Sequence, residues 1–347
     1  MSVSNAKRLG VLFLNTGSAA KPEVPEVRQY LREFLMDPRV IDLPYWKRWM
    51  IVNLFILPFR PRRTAEAYRK VWTSERAPLL AISEAFRRAF EEKMPEAATA
   101  FGMAYGRPKI TEALDTLLSL DLEKIVVFPL FPQYASATTG SVLGTVYRHA
   151  AVPWNVPFLS VVPPFYADPR FIQAWEAVAA PLLTSFQPEH VLFSFHGLPE
   201  RQVEKGDPSR QHCLKRPDCC DVSVPANRWC YRRHCIRTAE ALRERLGIPK
   251  EKATITFQSR LGNEPWLEPA TDATITRLAR EGVKRLAVLS PAFVADCLET
   301  LEELGIGGKE NFLENGGKEY MLVPSLNTHP QWIETAVALV RETCGVC

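Results

Sequence analysis

A chain of 347 residues, 46% of them hydrophobic and 24% charged, is long enough for two domains that each bury a core without disulfide staples. Its formal net charge is only +4, and Lys and Arg are spread along the chain instead of forming a tract, which argues against a nucleic-acid partner. No apolar stretch reaches the roughly 18 residues that span a bilayer. Met1–Arg8 leads straight into an apolar strand with neither signal-peptide core nor Arg-rich transit peptide, the expectation for a cytoplasmic protein.

The first apolar run, Leu9–Asn15, reads as a strand covered on both faces, as in a parallel sheet. Next comes Trp46–Phe59 (WKRWMIVNLFILPF), framed by Lys47 and Arg48 at its start and by Arg60, Arg62 and Arg63 after it. Two readings stand: a buried helix with charged ends, or an apolar lip that rests on a membrane or admits a flat hydrophobic ligand. Trp46 and Trp49 beside the basic residues support the lip.

From there apolar runs alternate with helical periodicity, and their order repeats. GVLFLNTGS (Gly10 to Ser18) is echoed by HVLFSFHGL (His190 to Leu198), and ATAFGMAYGRPKITEAL (Ala98 to Leu114) by ATITFQSRLGNEPWLEPATDATI (Ala253 to Ile275). EKIVVFPLFPQYASATTG (Glu123 to Gly140) is matched by VKRLAVLSPAFVADCLETL (Val283 to Leu301). The expectation is an α/β fold of two similar domains with parallel sheets, residues 1–163 and 164–326, facing a central cleft, with 327–347 as a last helix and tail. Neither half carries a Gly-x-Gly-x-x-Gly fingerprint or a Gly-rich loop ending in Gly-Lys-Ser/Thr, so no nucleotide cofactor is indicated.

Two strand ends bring ionisable groups into their loops, where ligands of parallel sheets bind. Val191–Glu200 (VLFSFHGLPE) places His196 before a Gly-Leu-Pro turn, and Ser290–Glu303 (SPAFVADCLETLEE) carries Asp296, Cys297, Glu299 and Glu303. A strand-end His can simply bond a loop carbonyl, and acids in a first helical turn can simply complement the helix dipole. Together they could take protons from a ligand or handle a metal ion, with Phe128, Phe131, Tyr134, Trp266 and Phe293 as candidate walls of an apolar cleft.

Five of the eight cysteines fall within Cys213–Cys235, apparently an insertion ahead of a helix beginning near Ile236. A reducing compartment disfavours disulfides, and the irregular intervals fit paired zinc knuckles poorly. Four thiolates, Cys213, Cys219 or Cys220, Cys230 and Cys235, suit a [2Fe–2S] cluster, with Cys220 preferred of the adjacent pair; zinc or no metal are the alternatives. The terminal pair Cys344 and Cys347 reads as a frayed end with free thiols.

FPQYASATTGS, SFHGLPE, FQSRLGNEPWLEPATD and PAFVADCLETLEE together resemble the ferrochelatases, which insert ferrous iron into a porphyrin at the last step of haem synthesis, and the likeness runs from Leu12 to Leu326. The resemblance implies two flavodoxin-like domains, a porphyrin cleft, protoporphyrin IX and ferrous iron as substrates, and His196 with Glu299 as the principal catalytic pair. It also implies Asp296, Trp266, Phe293, Tyr134, Tyr68 and Arg60 as pocket members, Arg60 near the propionates, and a mouth at Trp46–Phe59 that contacts the inner face of the membrane. Cys297 stands where many members have a second His. The animal-type cluster takes one ligand from the loop matching Gln133–Thr139 and three from a carboxyl-terminal extension. Here Ser136 occupies that loop and the sequence stops at Cys347, so the internal cysteines are the better set. The competing readings are a chelatase for another metal or tetrapyrrole (cobalt, coproporphyrin) and a non-catalytic iron–sulfur or haem sensor, which the presence of both His196 and Glu299 argues against. Oligomeric state is left open.

Overall fold

A computed structural model describes residues 8–73, 76–262 and 264–345. The leader reading at Met1–Lys7 and the Cys347 half of the terminal pair lie outside the described residues.

Eight strands form two four-stranded sheets, every pairing parallel. In the first, β1 (Leu9–Gly17), β2 (Ala97–Tyr105), β3 (Lys124–Pro129) and β4 (Leu159–Val161) lie in the order β2-β1-β3-β4. In the second, β5 (His190–His196), β6 (Ala253–Gln258), β7 (Arg285–Leu289) and β8 (Glu319–Leu322) repeat that order as β6-β5-β7-β8. The echoed segments thus occupy equivalent strands. Val11 pairs with Thr99 and Val126, and Val191 with Ala253 and Ala287. The central strands are continuously apolar because helices cover both faces: Val11 to Leu14 are wholly buried.

Residues up to Phe131, Ser136–Pro163 and the stretch from Trp332 onward form one unit, while Pro132–Ala135 and Pro164–Gln331 form the other. In the first unit Phe13 packs edge-on against Phe86 and Phe90, with ring centroids 5.2 and 4.9 Å apart. The last helix, Pro330–Cys344, brings Trp332 within 5.8 Å of Phe86 and 6.4 Å of Phe128. Phe128 is therefore fully buried in this core and is not a wall residue. In the second unit Leu192, Leu286 and Val288 pack against Ile275, Leu278 and Phe312. Each β-strand end delivers its following loop to one edge of its sheet, which positions the site.

Candidate active site

β5 ends at His196, paired with Gln258 of β6. Gly197 donates its N–H to the Gln258 carbonyl at 2.7 Å. A Cβ at this position would lie 2.9 Å from that oxygen and 3.1 Å from the Trp266 ring, so glycine alone allows the approach. The turn is pinned to the Trp266 segment by Leu267 N–H to Leu198 O at 2.9 Å and Glu200 N–H to Pro265 O at 3.0 Å. Trp266 is half-buried, and its Nε1–H is buried without an acceptor. His196 Nδ1 sits 2.6 Å from the Gly197 carbonyl oxygen. A carbonyl only accepts, so Nδ1 carries the proton and the Nε2 lone pair of the neutral ring is left to act as a base. Beneath the strand end, Ser194, Thr256, Gln258 and Thr271 form a buried hydrogen-bonded group that fixes β5 against β6.

The acidic segment differs from the expected helical turn. A π-helix runs over Glu299–Gly307, and Asp296 precedes it. Glu299 and Glu303, four apart, share one face of it, as they would in an α-helix. Glu303 accepts from Ser259 N–H at 2.9 Å and from the Ser259 hydroxyl at 2.5 Å. Burial pushes its carboxyl above the usual glutamate range; the Ser259 hydroxyl and the nearby His196 pull it back, while Glu299 adds to the rise. Glu303 thus lies within electrostatic reach of both members of the expected pair. Ser259 holds a left-handed backbone, φ 66°, a strained conformation for a residue with a Cβ and one that turns it toward Glu303.

Asp296 is 6% exposed and its carboxylate is already occupied. Thr300 Oγ1 donates at 3.0 Å, Ser325 N–H at 3.2 Å and Asn327 Nδ2 at 2.8 Å. This clamps the loop after β7 to the loop after β8. Cys297 is buried, with its thiol pushed well above the ordinary range by burial and by its contact with Glu299.

Phe293 and Tyr134 are half-buried members of this same unit. The Tyr134 ring lies 5.6 Å from Trp229, an exposed insertion residue that sequence reasoning missed, and Trp229 in turn carries the Arg228 guanidinium over its face at 5.1 Å. Arg60, Tyr68 and Phe131 belong to the first unit. There Arg60 is exposed at the start of the Arg60–Val71 helix, Tyr68 is buried and accepts from the Ser18 hydroxyl at 3.0 Å, and Phe131 packs against the sheet core.

The Trp46–Phe59 stretch is not a buried helix. A Tyr45–Met50 helix continues as a π-helix over Ile51–Ile56, and of its apolar residues Val52 and Leu57 turn fully inward while Trp46, Leu54, Phe55 and Phe59 are left 53–75% exposed. Arg48 leaves the basic flank, because it is buried and donates to the Leu43 carbonyl at 2.7 Å. Lys47, Arg60, Arg62 and Arg63 remain exposed. Among the described residues no helix is long and apolar enough to cross a membrane.

All five insertion cysteines are buried and their thiols interact. Cys230 bonds Cys213 and Cys220, Cys219 and Cys220 sulfurs lie 3.8 Å apart, and Cys235 lies within the electrostatic reach of Cys220. Burial pushes Cys213 up to about 11 and also raises Cys219 and Cys235, while Cys220 is raised chiefly by its contact with Cys230, so without a metal these four thiols keep their protons. Arg232 Nη1 lies 3.1 Å from Cys220 Sγ and 3.8 Å from Cys219 Sγ, a charge suited to thiolate. Among the described residues no group of three or more His, Cys, Asp or Glu is arranged so that it could hold a metal ion. The helix leaving the insertion starts at Tyr231, five residues before the expected Ile236, so Cys235 is helical.

Two doubly repeated parallel sheets, with a histidine and carboxylates gathered at the strand ends of one, define a chelatase-like fold. The structure of SirB from Bacillus subtilis with Fe3+ shares it over 97% of this chain and 95% of its own, with TM-score 0.56 at 13% identity. The ferrochelatase family description matches residues 8–344. Ferrochelatase from Coxiella burnetii (strain Dugway 5J108-111) is 40% identical over 99% of this chain and 96% of its own length. That of Pseudomonas entomophila (strain L48) is 42% identical over 97% and 98%. The chain belongs to the ferrochelatase family: it is an enzyme, a metal chelatase of haem biosynthesis with ferrous iron as a substrate.

Proposed function

We propose that this chain inserts ferrous iron into protoporphyrin IX to give protohaem, with His196 as the proton acceptor and Glu303 and Glu299 as the carboxylates behind it. The observation that carries the reading is the strand-end His196 whose Nδ1–H is committed to the Gly197 carbonyl while Glu303 lies close by. Iron cannot enter until two pyrrole N–H protons leave. A neutral imidazole with a free Nε2 accepts such a proton, and the charge that results is stabilised by an adjacent carboxylate. Glu303, held by Ser259, is placed to serve as that partner and to pass a proton on to Glu299. Trp266, Phe293 and Tyr134 of this unit supply apolar surface for a flat macrocycle. Asp296 acts by holding its loop, since three of its roughly four acceptor sites are engaged by Thr300, Ser325 and Asn327.

The same reading assigns a [2Fe–2S] cluster to Cys213, Cys220, Cys230 and Cys235. Cys220 is favoured over Cys219 because its sulfur contacts both Cys219 and Cys230 and receives the shorter Arg232 contact. Such a centre, when bound, supplies one-electron redox chemistry. The exposed aromatic lip, with Lys47, Arg60, Arg62 and Arg63 around it, rests peripherally on the inner face of the cytoplasmic membrane. Anaerobic insertion assays with ferrous iron and cobalt, each against protoporphyrin and coproporphyrin, test the substrate assignment. Preference for protoporphyrin and iron is expected, and preference for another pair would move the chain to the neighbouring chelatase activities.

A further inference from the structure

The helix Tyr231–Arg245 leaves the cysteine-rich insertion, and its first turn reaches two pocket residues from behind. Tyr231 is 8% exposed, and its hydroxyl donates to the His196 carbonyl oxygen at 2.9 Å. One turn on, the fully buried His234 accepts the Tyr134 N–H on Nδ1 at 3.2 Å. Its Nε2–H donates to the Arg228 carbonyl at 2.9 Å, and its ring stacks on Tyr166 with centroids 3.8 Å apart. Thr238, a turn further, accepts from Gln133 Nε2 at 3.0 Å. The other side of the same turn is made of thiols. Cys230, the residue before the helix, bonds Cys213 and Cys220, and the buried Cys235 bonds the Tyr231 hydroxyl.

We infer that Tyr231 and His234 are positioning residues for the iron-insertion reaction, tying His196 and Tyr134 to the first turns of the Tyr231–Arg245 helix. The physical reason is that a helix is rigid along its length, so two buried hydrogen bonds from neighbouring turns hold the His196 strand end and the Tyr134 loop at a fixed spacing. The inference rests on the reading that His196 acts on the porphyrin.

The experiment uses the full chain purified with its iron and compares wild type with Tyr231→Phe, His234→Phe, His234→Gln and His196→Ala. Tyr231→Phe removes one hydroxyl and keeps the ring, so the thiolate-to-iron absorption and the Tm should stay near wild type while kcat falls roughly 10-fold or more with KM little changed. His234→Phe keeps a flat ring on Tyr166 but orphans the Tyr134 N–H. It should weaken porphyrin binding in a fluorescence titration, and His234→Gln, which restores an acceptor, should recover most of it. Wild-type kcat in Tyr231→Phe or unaltered porphyrin affinity in His234→Phe would each overturn the inference. Turnover by His196→Ala would overturn the site reading itself; an inactive His196→Ala beside an unaffected Tyr231→Phe would overturn only the positioning role.

Discussion

Asp296 separates a catalytic carboxylate from a clamp, and the geometry puts numbers on the difference. Asp296→Ala leaves the Ser325 N–H and the Asn327 amide without their acceptor in a site only 6% exposed, while the Thr300 hydroxyl keeps the Cys297 carbonyl at 3.2 Å. An orphaned buried donor costs about 1–3 kcal/mol, and local relaxation recovers part of it, which places the whole at about 2–5 kcal/mol. At about 2–4 °C per kcal/mol for a unit of this size, its Tm should drop by about 4–20 °C. Asp296→Asn, which can still accept through its oxygen but turns an N–H₂ toward a donor, should fall between. The assay is calorimetric unfolding of each variant beside iron insertion measured well below the transition, where a folded Asp296→Asn should keep most of its turnover. A variant that melts within about 2–4 °C of wild type yet has lost turnover would refute the clamp and return Asp296 to the chemistry.

Glu303 offers a pH test. Its raised carboxyl means that the native state binds a proton more tightly than the unfolded chain, so stability falls as pH rises from the ordinary glutamate range through the raised native value. Glu303→Gln should flatten that slope above the ordinary glutamate range, hold or raise stability at neutral pH, and cripple turnover; an unchanged slope would show that Glu303 is not buried in the charged state. The lip should bring the protein down with anionic vesicles at low salt, and Phe55→Asp or Trp49→Asp should weaken this, each apolar group contributing about 1.5–3 kcal/mol when fully buried. Failure to co-sediment would leave the exposed aromatics to another role. Purified protein should be red-brown with about two irons per chain, losing colour on Cys213, Cys220, Cys230 or Cys235→Ser and keeping it on Cys219→Ser. Colourless, zinc-loaded protein from iron-replete cells would remove the cluster without touching the chelatase assignment.

The duplicated fold was legible because strands covered on both faces read as continuous apolar runs, and the runs around Val11 and Val191 recur in one order. The His196 strand end was legible for the same reason, since the run stops where His-Gly-Leu-Pro begins. The clamp on Asp296 was not, because Ser325 and Asn327 come from a loop after β8 that local spacing cannot bring near. That Glu299 and Glu303 share a face was legible, since residues four apart line up in either kind of helix; the π-helical turn itself was not, because it has no sequence signature comparable to the 3.6-residue period. Phe128 looked like a wall because an aromatic at a strand end is ambiguous until Trp332, far along the chain, is seen to cover it. Tyr231 and His234 were hidden among the cysteines, whose spacing drew the reading toward metal and away from the helix that follows.

The central claim is that His196, through its free Nε2, removes the pyrrole protons. The most direct measurement is anaerobic ferrous iron insertion into protoporphyrin by wild type and His196→Ala, with porphyrin binding followed in parallel. The account predicts that His196→Ala still folds and binds porphyrin but shows no measurable insertion, because the side chain projects from a strand end and fills little core volume. Insertion at near-normal rate by His196→Ala would contradict it.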